Sequence, residues 1–320
     1  MSKNDPPHNP HDLFARKVFG TPKFAADLFK HYASVEVRKT IRWSKLKRLP
    51  KHEFGMLLDE HINDGAFSAP LLDGSRKANA LILFEHKSYA DPHLALQVGT
   101  YLFLTWTTLW IEADRPDLRK KPLPAPVVIL LHQGPKPYKP IGMQDIVVAV
   151  PGLERFVPRF DIDVIDLTKL DRSDLKGEPL TCATLEALKR ASDKTLATGL
   201  ASVLEHFRGM ANTRQLMDWL RDILYYTDCV NKLTRETVAN AMKTVFDRKE
   251  GEDMASTLFE ELRTEGISGS IITVLEARFG NIPKQVRDAV VACTDLSKLD
   301  ALTKRAATCA SIDEFKRNLK

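Results

Sequence analysis

The run Ala78-Asn79-Ala80-Leu81-Ile82-Leu83-Phe84-Glu85-His86-Lys87-Ser88 limits what this chain can fold into more than any other stretch. Ala80 through Phe84 is uninterruptedly apolar, the mark of a strand covered on both faces. Side chains alternate along a strand, so Glu85 and Lys87 point one way and His86 the other. Opposite charges at the mouth of a buried strand are costly unless something uses them. A divalent metal and a water nucleophile would use both. A surface salt bridge is the plainer reading, since acid-x-lysine is a common pattern. It recurs at Asp174-Leu175-Lys176, Asp247-Arg248-Lys249 and Glu314-Phe315-Lys316, but those sit in polar, helix-like or loop surroundings, and only Glu85-His86-Lys87 closes a strand.

The residues upstream strengthen the catalytic reading. Asp64 precedes a short strand-like segment, Gly65 to Leu72, and Asp73-Gly74 is a turn signal. A hairpin through residues 73–77 sets the start of one strand beside the end of the next, and so Asp64 beside Glu85. Asp59 and Glu60 are next in line for the first acid. Two carboxylates and an ammonium then converge. Mg²⁺ takes oxygen ligands and commonly only one or two protein carboxylates, and a neighbouring lysine can orient water or stabilise charge on phosphorus oxygens.

Several motifs occur together and in order: His11-Asp12-Leu13-Phe14, Trp43-Ser44-Lys45-Leu46, Glu85-His86-Lys87-Ser88 with Asp91-Pro92, and Pro126 to Leu131 followed by His132-Gln133-Gly134. In these the chain resembles, over about residues 8–250, the Rpn family of recombination-promoting nucleases, also called YhgA-like transposases, of the PD-(D/E)XK nuclease superfamily. The tail segment Glu276 to Pro283 resembles a helical domain often appended to such proteins. The resemblance implies a PD-(D/E)XK restriction-endonuclease-like α/β core with an α-helical C-terminal extension. It assigns Asp64 and Glu85 as metal ligands, and Asp64, Glu85 and Lys87 as the catalytic set. The family often has glutamine where this chain has Lys87, and many members have arginine where this chain has Gln97. The implied activity is Mg²⁺-dependent hydrolysis of DNA phosphodiester bonds, with Mn²⁺ as a substitute ion, in recombination, mobile-element maintenance or defence. The alternative is an inactive nuclease-fold protein that binds DNA or protein partners.

Charge bears on the partner. Between Arg38 and Lys51 stand Arg38, Lys39, Arg42, Lys45, Lys47, Arg48 and Lys51, with Trp43 among them and no acid. Such a run can neutralise phosphates without reading sequence, although a solvated face has the same composition. Arg115, Arg119, Lys120, Lys121, Lys136 and Lys139 form a looser second cluster. His86 is expected in a core role and His132 at the end of a buried strand, while Asp12 can cap the first helix. No GxSxG, Walker A, HExxH or dinucleotide fingerprint is present.

Thr21-Pro22 opens a helix carrying Phe24, Leu28, Phe29 and Tyr32 on one side. Pro126 to Leu131 reads as a buried strand, with Ile146–Val150 and Ile162–Leu167 as further strand candidates. Leu94 to Ile111 has no charged residue and is long enough to span a membrane. Asp91-Pro92 before it marks a helix start, and its glutamine, glycine and four threonines favour a buried core helix. Beyond residue 180 the pattern is helical, and Lys249–Asp253 is the best linker candidate. The expected domains are therefore 1–175 (nuclease core), 176–250 (helical extension) and 251–320 (small helical domain). Cys182, Cys229, Cys293 and Cys309 are widely spaced, which suits a reducing compartment rather than zinc or disulfides. With no leader-like segment read at the start, the expectation is a cytoplasmic protein that binds DNA and no membrane, with self-association left open.

Overall fold

The computed structural model describes residues 9–49, 64–73, 79–111, 122–317 and 319. The expected turn residues 74–77, the alternative acids Asp59 and Glu60, and the basic residues Lys51, Arg115, Arg119, Lys120 and Lys121 lie outside that set. The chain divides into two compact units, which meet in sequence between Gly199 and Leu200.

The first unit is mixed α/β. Helices α1 (Pro10–Phe19), α2 (Pro22–Tyr32) and α3 (Val35–Thr40) precede strands β1 (Lys47–Arg48), β2 (Gly65–Pro70) and β3 (Asn79–Lys87). Helix α4 (Leu94–Ile111) then leads to β4 (Ala125–His132), and a helical turn α5 (Met143–Ile146) leads to β5 (Asp163–Asp166). The strands lie side by side in chain order. β1 pairs antiparallel with β2 and β2 with β3, while β3, β4 and β5 are parallel.

β3 is the axis of this unit because both its faces are apolar. Leu81 and Leu83 pack with Ala66, Val128 and Leu130 against Leu94, Val98, Tyr101 and Leu102 of α4. On the other face Phe84 meets Phe19 and Phe29, with ring centroids 6.1 and 5.6 Å apart. α4 is the one described helix long and apolar enough to cross a membrane by length and composition. The expected burial of this helix is met on one face only: Leu96, Phe103, Trp110 and Ile111 are exposed. It begins at Leu94, two residues past Pro92, and Asp91 Oδ1 accepts the His93 N–H at 2.9 Å.

Two readings are corrected here. Ile146–Val150 is not a strand: it leaves the α5 turn with Val147, Val148 and Val150 exposed, because Asp163–Asp166 already pairs with the free edge of β4. The expected boundary at 175 lies inside the first unit, where α6 (Pro179–Ser192) is tied to α2. Glu178 N–H donates to Asp27 Oδ2 at 2.7 Å, and the Tyr32 hydroxyl donates to Lys176 O at 2.9 Å.

The second unit is helical: α7 (Leu200–Leu204), α8 (Arg214–Val230), α9 (Arg235–Val245), α10 (Arg248–Phe279), α11 (Lys284–Val291), α12 (Leu296–Thr308) and α13 (Ile312–Arg317). The supposed linker Lys249–Asp253 is the opening of α10. A Cβ on Gly251 would stand 3.0 Å from the Met242 backbone, so this glycine serves close helix contact rather than flexibility. The Glu276–Pro283 motif is a joint. Gly280 ends α10 with φ +77°, Arg278 donates to Ala306 O and Cys309 O at 2.6 and 2.7 Å, and Glu276 pairs with Arg287.

Phe84 is fully buried between two helices. Phe84→Ala should destabilise the protein by about 3–5 kcal/mol through lost burial and the cavity left behind, read from urea unfolding. A loss under about 1 kcal/mol would mean that α1 and α2 do not hold β3.

Candidate active site

The register of the β2–β3 hairpin builds the site. Gly65 pairs with Phe84, so Asp64, one residue before the strand, stands opposite Glu85. Both carboxylates are 4% exposed. Asp64 Oδ2 accepts the His86 N–H at 2.6 Å, and Oδ1 accepts from Arg16 Nε at 3.2 Å. Glu85 Oε2 is 4.0 Å from Lys87 Nζ, while Glu85 Oε1 is buried with no hydrogen-bond partner. Lys87 also donates to Gln97 Oε1 at 2.9 Å and pairs with Asp91 Oδ2 at 3.3 Å. Gln97 is itself held, its Nε2 donating to the Tyr101 hydroxyl at 2.8 Å. Asp64, Glu85 and Lys87 are thus brought together, with Gln97 and Tyr101 on α4 as their support.

The charges are poorly matched. Burial pushes the Glu85 carboxyl up, Asp64 pushes it further and Lys87 pulls it back, leaving it raised to about 8. Asp64 is raised as well, mainly by burial, against the pull of the His86 ring and backbone N–H and of Arg16. For Lys87 burial opposes the charge, but Glu85 and Asp91 outweigh it and the ammonium is held above its ordinary value. A buried carboxylate oxygen without a partner, beside a second raised carboxylate, is an arrangement whose charged form a nearby positive charge would favour.

His86 turns to the opposite face of β3, toward α1. Its Nδ1 lies 2.8 Å from Asp12 Oδ1, and because a carboxylate only accepts, that nitrogen carries a proton. Its Nε2 faces Gln133 Oε1 at 2.9 Å, and Gln133 Nε2 faces His11 Nδ1 at 3.1 Å. The His11 imidazole is held below its usual range, first by burial and then by His86. Asp12 and Arg16 are one turn apart on α1, so the first helix reaches both His86 and Asp64.

The hydrogen bond of His132 lies away from the acid pair. Its Nε2 bonds Lys136 O at 2.9 Å, and its ring folds over Gly134, where a Cβ would come within 2.5 Å. The described residues hold no cluster of three or more His, Cys, Asp or Glu able to bind a metal. Asp64 and Glu85 are the ligands on hand, and two carboxylates match the sparse protein shell of Mg²⁺. The donor set fits that ion.

Of the basic run, Lys39, Arg42, Lys45, Lys47 and Arg48 are exposed and Arg38 is half-buried. Arg48 donates to Gly20 O at 2.9 Å. Trp43 is buried against Phe29 at 5.6 Å between centroids, so it offers no face for stacking a base. Lys136 and Lys139 of the second cluster are exposed.

The first unit is therefore a mixed α/β domain with a paired-acid and lysine site at the end of its central strand. The family model described as "Putative transposase, YhgA-like" matches residues 9–218 of the 320, and the chain belongs to that family. The match takes in α1, the acid pair, Lys87 and Gln133. No curated protein and no solved structure matches the chain.

A raised Glu85 has a consequence for stability. The folded protein keeps a proton at Glu85 that an unfolded chain releases near its ordinary value, so this group's contribution falls as pH rises through the interval up to about 8. In EDTA, thermal stability should fall from about pH 5 to about pH 8. Glu85→Gln should lack that part of the decline and melt several degrees above wild type at the upper end. Parallel pH profiles for the two proteins would contradict the assignment.

Proposed function

We propose that this chain is a metal-dependent DNA endonuclease with a PD-(D/E)XK-type core. The observation that carries this reading is the unpartnered, buried Glu85 Oε1 beside Asp64, with Lys87 on the same strand face. Asp64 and Glu85 would hold Mg²⁺, or Mn²⁺ in its place. The bound ion would supply Lewis-acid stabilisation of a phosphate oxygen and a water of lowered pKa.

The remaining chemistry belongs to the chain. Lys87 keeps its proton at neutral pH because Glu85 and Asp91 favour the ammonium, so it donates to water or to a phosphoryl oxygen rather than accepting a proton. Gln97, oriented by Tyr101, fixes where that ammonium points. Arg16 holds Asp64, and a metal bound to that carboxylate would leave this half-exposed guanidinium available to a phosphate. Hydrolysis then joins the water oxygen to phosphorus and breaks one bridging P–O bond.

The exposed part of the run Arg38, Lys39, Arg42, Lys45, Lys47, Arg48 and Lys51 would track the DNA backbone, giving affinity without sequence readout. The family's designation supports a setting in mobile-element movement or its control, and the four free thiols suit a cytoplasmic protein.

Plasmid nicking tests this reading. Asp64→Ala should abolish Mg²⁺-dependent cleavage. Lys87→Ala should bind Mg²⁺ nearly normally by calorimetry yet cut on the order of 10²–10³ times more slowly in single turnover, and Lys87→Gln should keep part of the rate. An unchanged rate in Lys87→Ala would reduce Glu85 and Lys87 to a structural ion pair. Wild-type protein that binds DNA but never cuts would point instead to an interaction module.

For the basic run, replacing Lys45, Lys47 and Arg48 together should weaken binding to all DNA sequences alike and flatten its salt dependence by roughly one unit of slope per lost phosphate contact. A changed sequence preference with an unchanged salt slope would place the DNA elsewhere.

A further inference from the structure

The outward face of α4 is an exposed apolar surface that the proposed chemistry leaves unused. Its inward side packs on the sheet and carries Gln97 and Tyr101. Its outward side shows Leu96, Thr100, Phe103, Thr107 and Trp110, all exposed, with Leu96, Phe103 and Trp110 51, 55 and 48% accessible. Their spacing alternates four and three, the spacing of a helix-pairing seam rather than of scattered surface apolar residues. None of the 18 residues of α4 is charged. The two threonines are satisfied within the helix, Thr100 Oγ1 donating to Leu96 O at 2.9 Å and Thr107 Oγ1 to Phe103 O at 2.8 Å. The stripe can therefore be dried without stranding a hydroxyl.

We propose that this stripe is the interface of a two-fold dimer in which α4 pairs antiparallel with α4 of a second copy of the chain. The order of side-chain sizes selects that occupant. Read from either end, the stripe runs large, small, large, small, large, with Phe103 in the middle. About a two-fold axis at Phe103, this residue meets its own copy, Thr100 meets Thr107 of the partner subunit, and Leu96 meets Trp110 of the partner subunit. Such self-complementarity is what an isologous interface requires. Leu96, Phe103, Trp110 and Ile111 each offer roughly 100 Å². With the threonines and the half-buried Leu104 beside them, the stripe reaches roughly 500 Å² per copy, the lower end of specific interfaces. A contact of that size suits a reversible rather than an obligate dimer. A lipid surface fits less well, because interfacial helices carry Lys and Arg along their polar flank, and α4 has neither.

The test is sedimentation velocity of the full chain from about 1 to about 100 µM. Wild type should pass from monomer to dimer over that range. Phe103→Lys, which sets two like charges on the axis, should raise the dissociation constant on the order of 100-fold. Because Phe103 is exposed, its far-UV circular dichroism and melting temperature should match wild type. Leu96→Glu and Trp110→Lys should each weaken the dimer, and the double variant L96E/W110K should restore it by setting opposite charges across the axis. Parallel helices would set like charges together there, so a double variant that stays monomeric overturns the antiparallel pairing. A wild type that is monomeric throughout, or a dimer indifferent to Phe103→Lys, overturns the interface. Wild type that floats with neutral phosphatidylcholine vesicles and loses this with Phe103→Lys assigns the stripe to lipid and also overturns it.

Discussion

The antiparallel register between β2 and β3 is the constraint from which the site follows. Gly65 opposite Phe84 does two things at once. It puts Phe67 and Phe84 on the face that receives Phe29, with ring centroids 6.0 and 5.6 Å away. It also puts Asp64 across from Glu85. A slip of one residue would turn Phe84 toward α4 and Glu85 toward α1, exchanging a buried phenyl ring for a carboxylate. The aromatic packing on one face thus enforces the acid pair on the other.

That pair is a local weakness held in place by its surroundings. Two buried carboxylates beside each other repel, and burial alone disfavours both charges. Arg16, the His86 N–H and Lys87 supply partial compensation, and one oxygen of Glu85 is left with none. The contrast with Glu186 is instructive. It is equally buried, but it has Arg190 at 2.7 Å and Arg172 at 3.4 Å, and it makes a closed ion network. The difference in partners, rather than in burial, separates the closed ion network of Glu186 from the open Glu85 oxygen.

Much of this was legible in the chain itself. The apolar run before Glu85, the Thr21-Pro22 helix start and the charge-free span of α4 are local patterns, and local patterns survive folding. The readings that changed depended on what each segment meets. Ile146–Val150 has strand-forming residues but no free edge to join. Lys249–Asp253 reads as a linker until Gly251 is seen against the Met242 backbone. Arg16 and Gln133 carry no local signal of a site role because their partners are 48 and 47 residues away in sequence, and Gln97 stands out only as a departure from the family pattern. Gln97 and Tyr101, four apart on the helix after the strand, left the one trace a spacing argument could have followed. Asp12, read as a cap, instead holds His86 from 74 residues away.

The link from His11 through Gln133 to His86 and Asp12 has a consequence for how the protein is made. Helix α1 is completed by a glutamine 122 residues further along the chain. At roughly 5–20 residues per second of synthesis, α1 waits many seconds before β4 supplies that side chain. During this interval the β2–β3 hairpin that pairs Asp64 with Glu85 is present, but His86 lacks its contact with Gln133. An incomplete chain, stalled or truncated before β4, therefore carries every acidic group of the site but not the glutamine that joins His86 to His11.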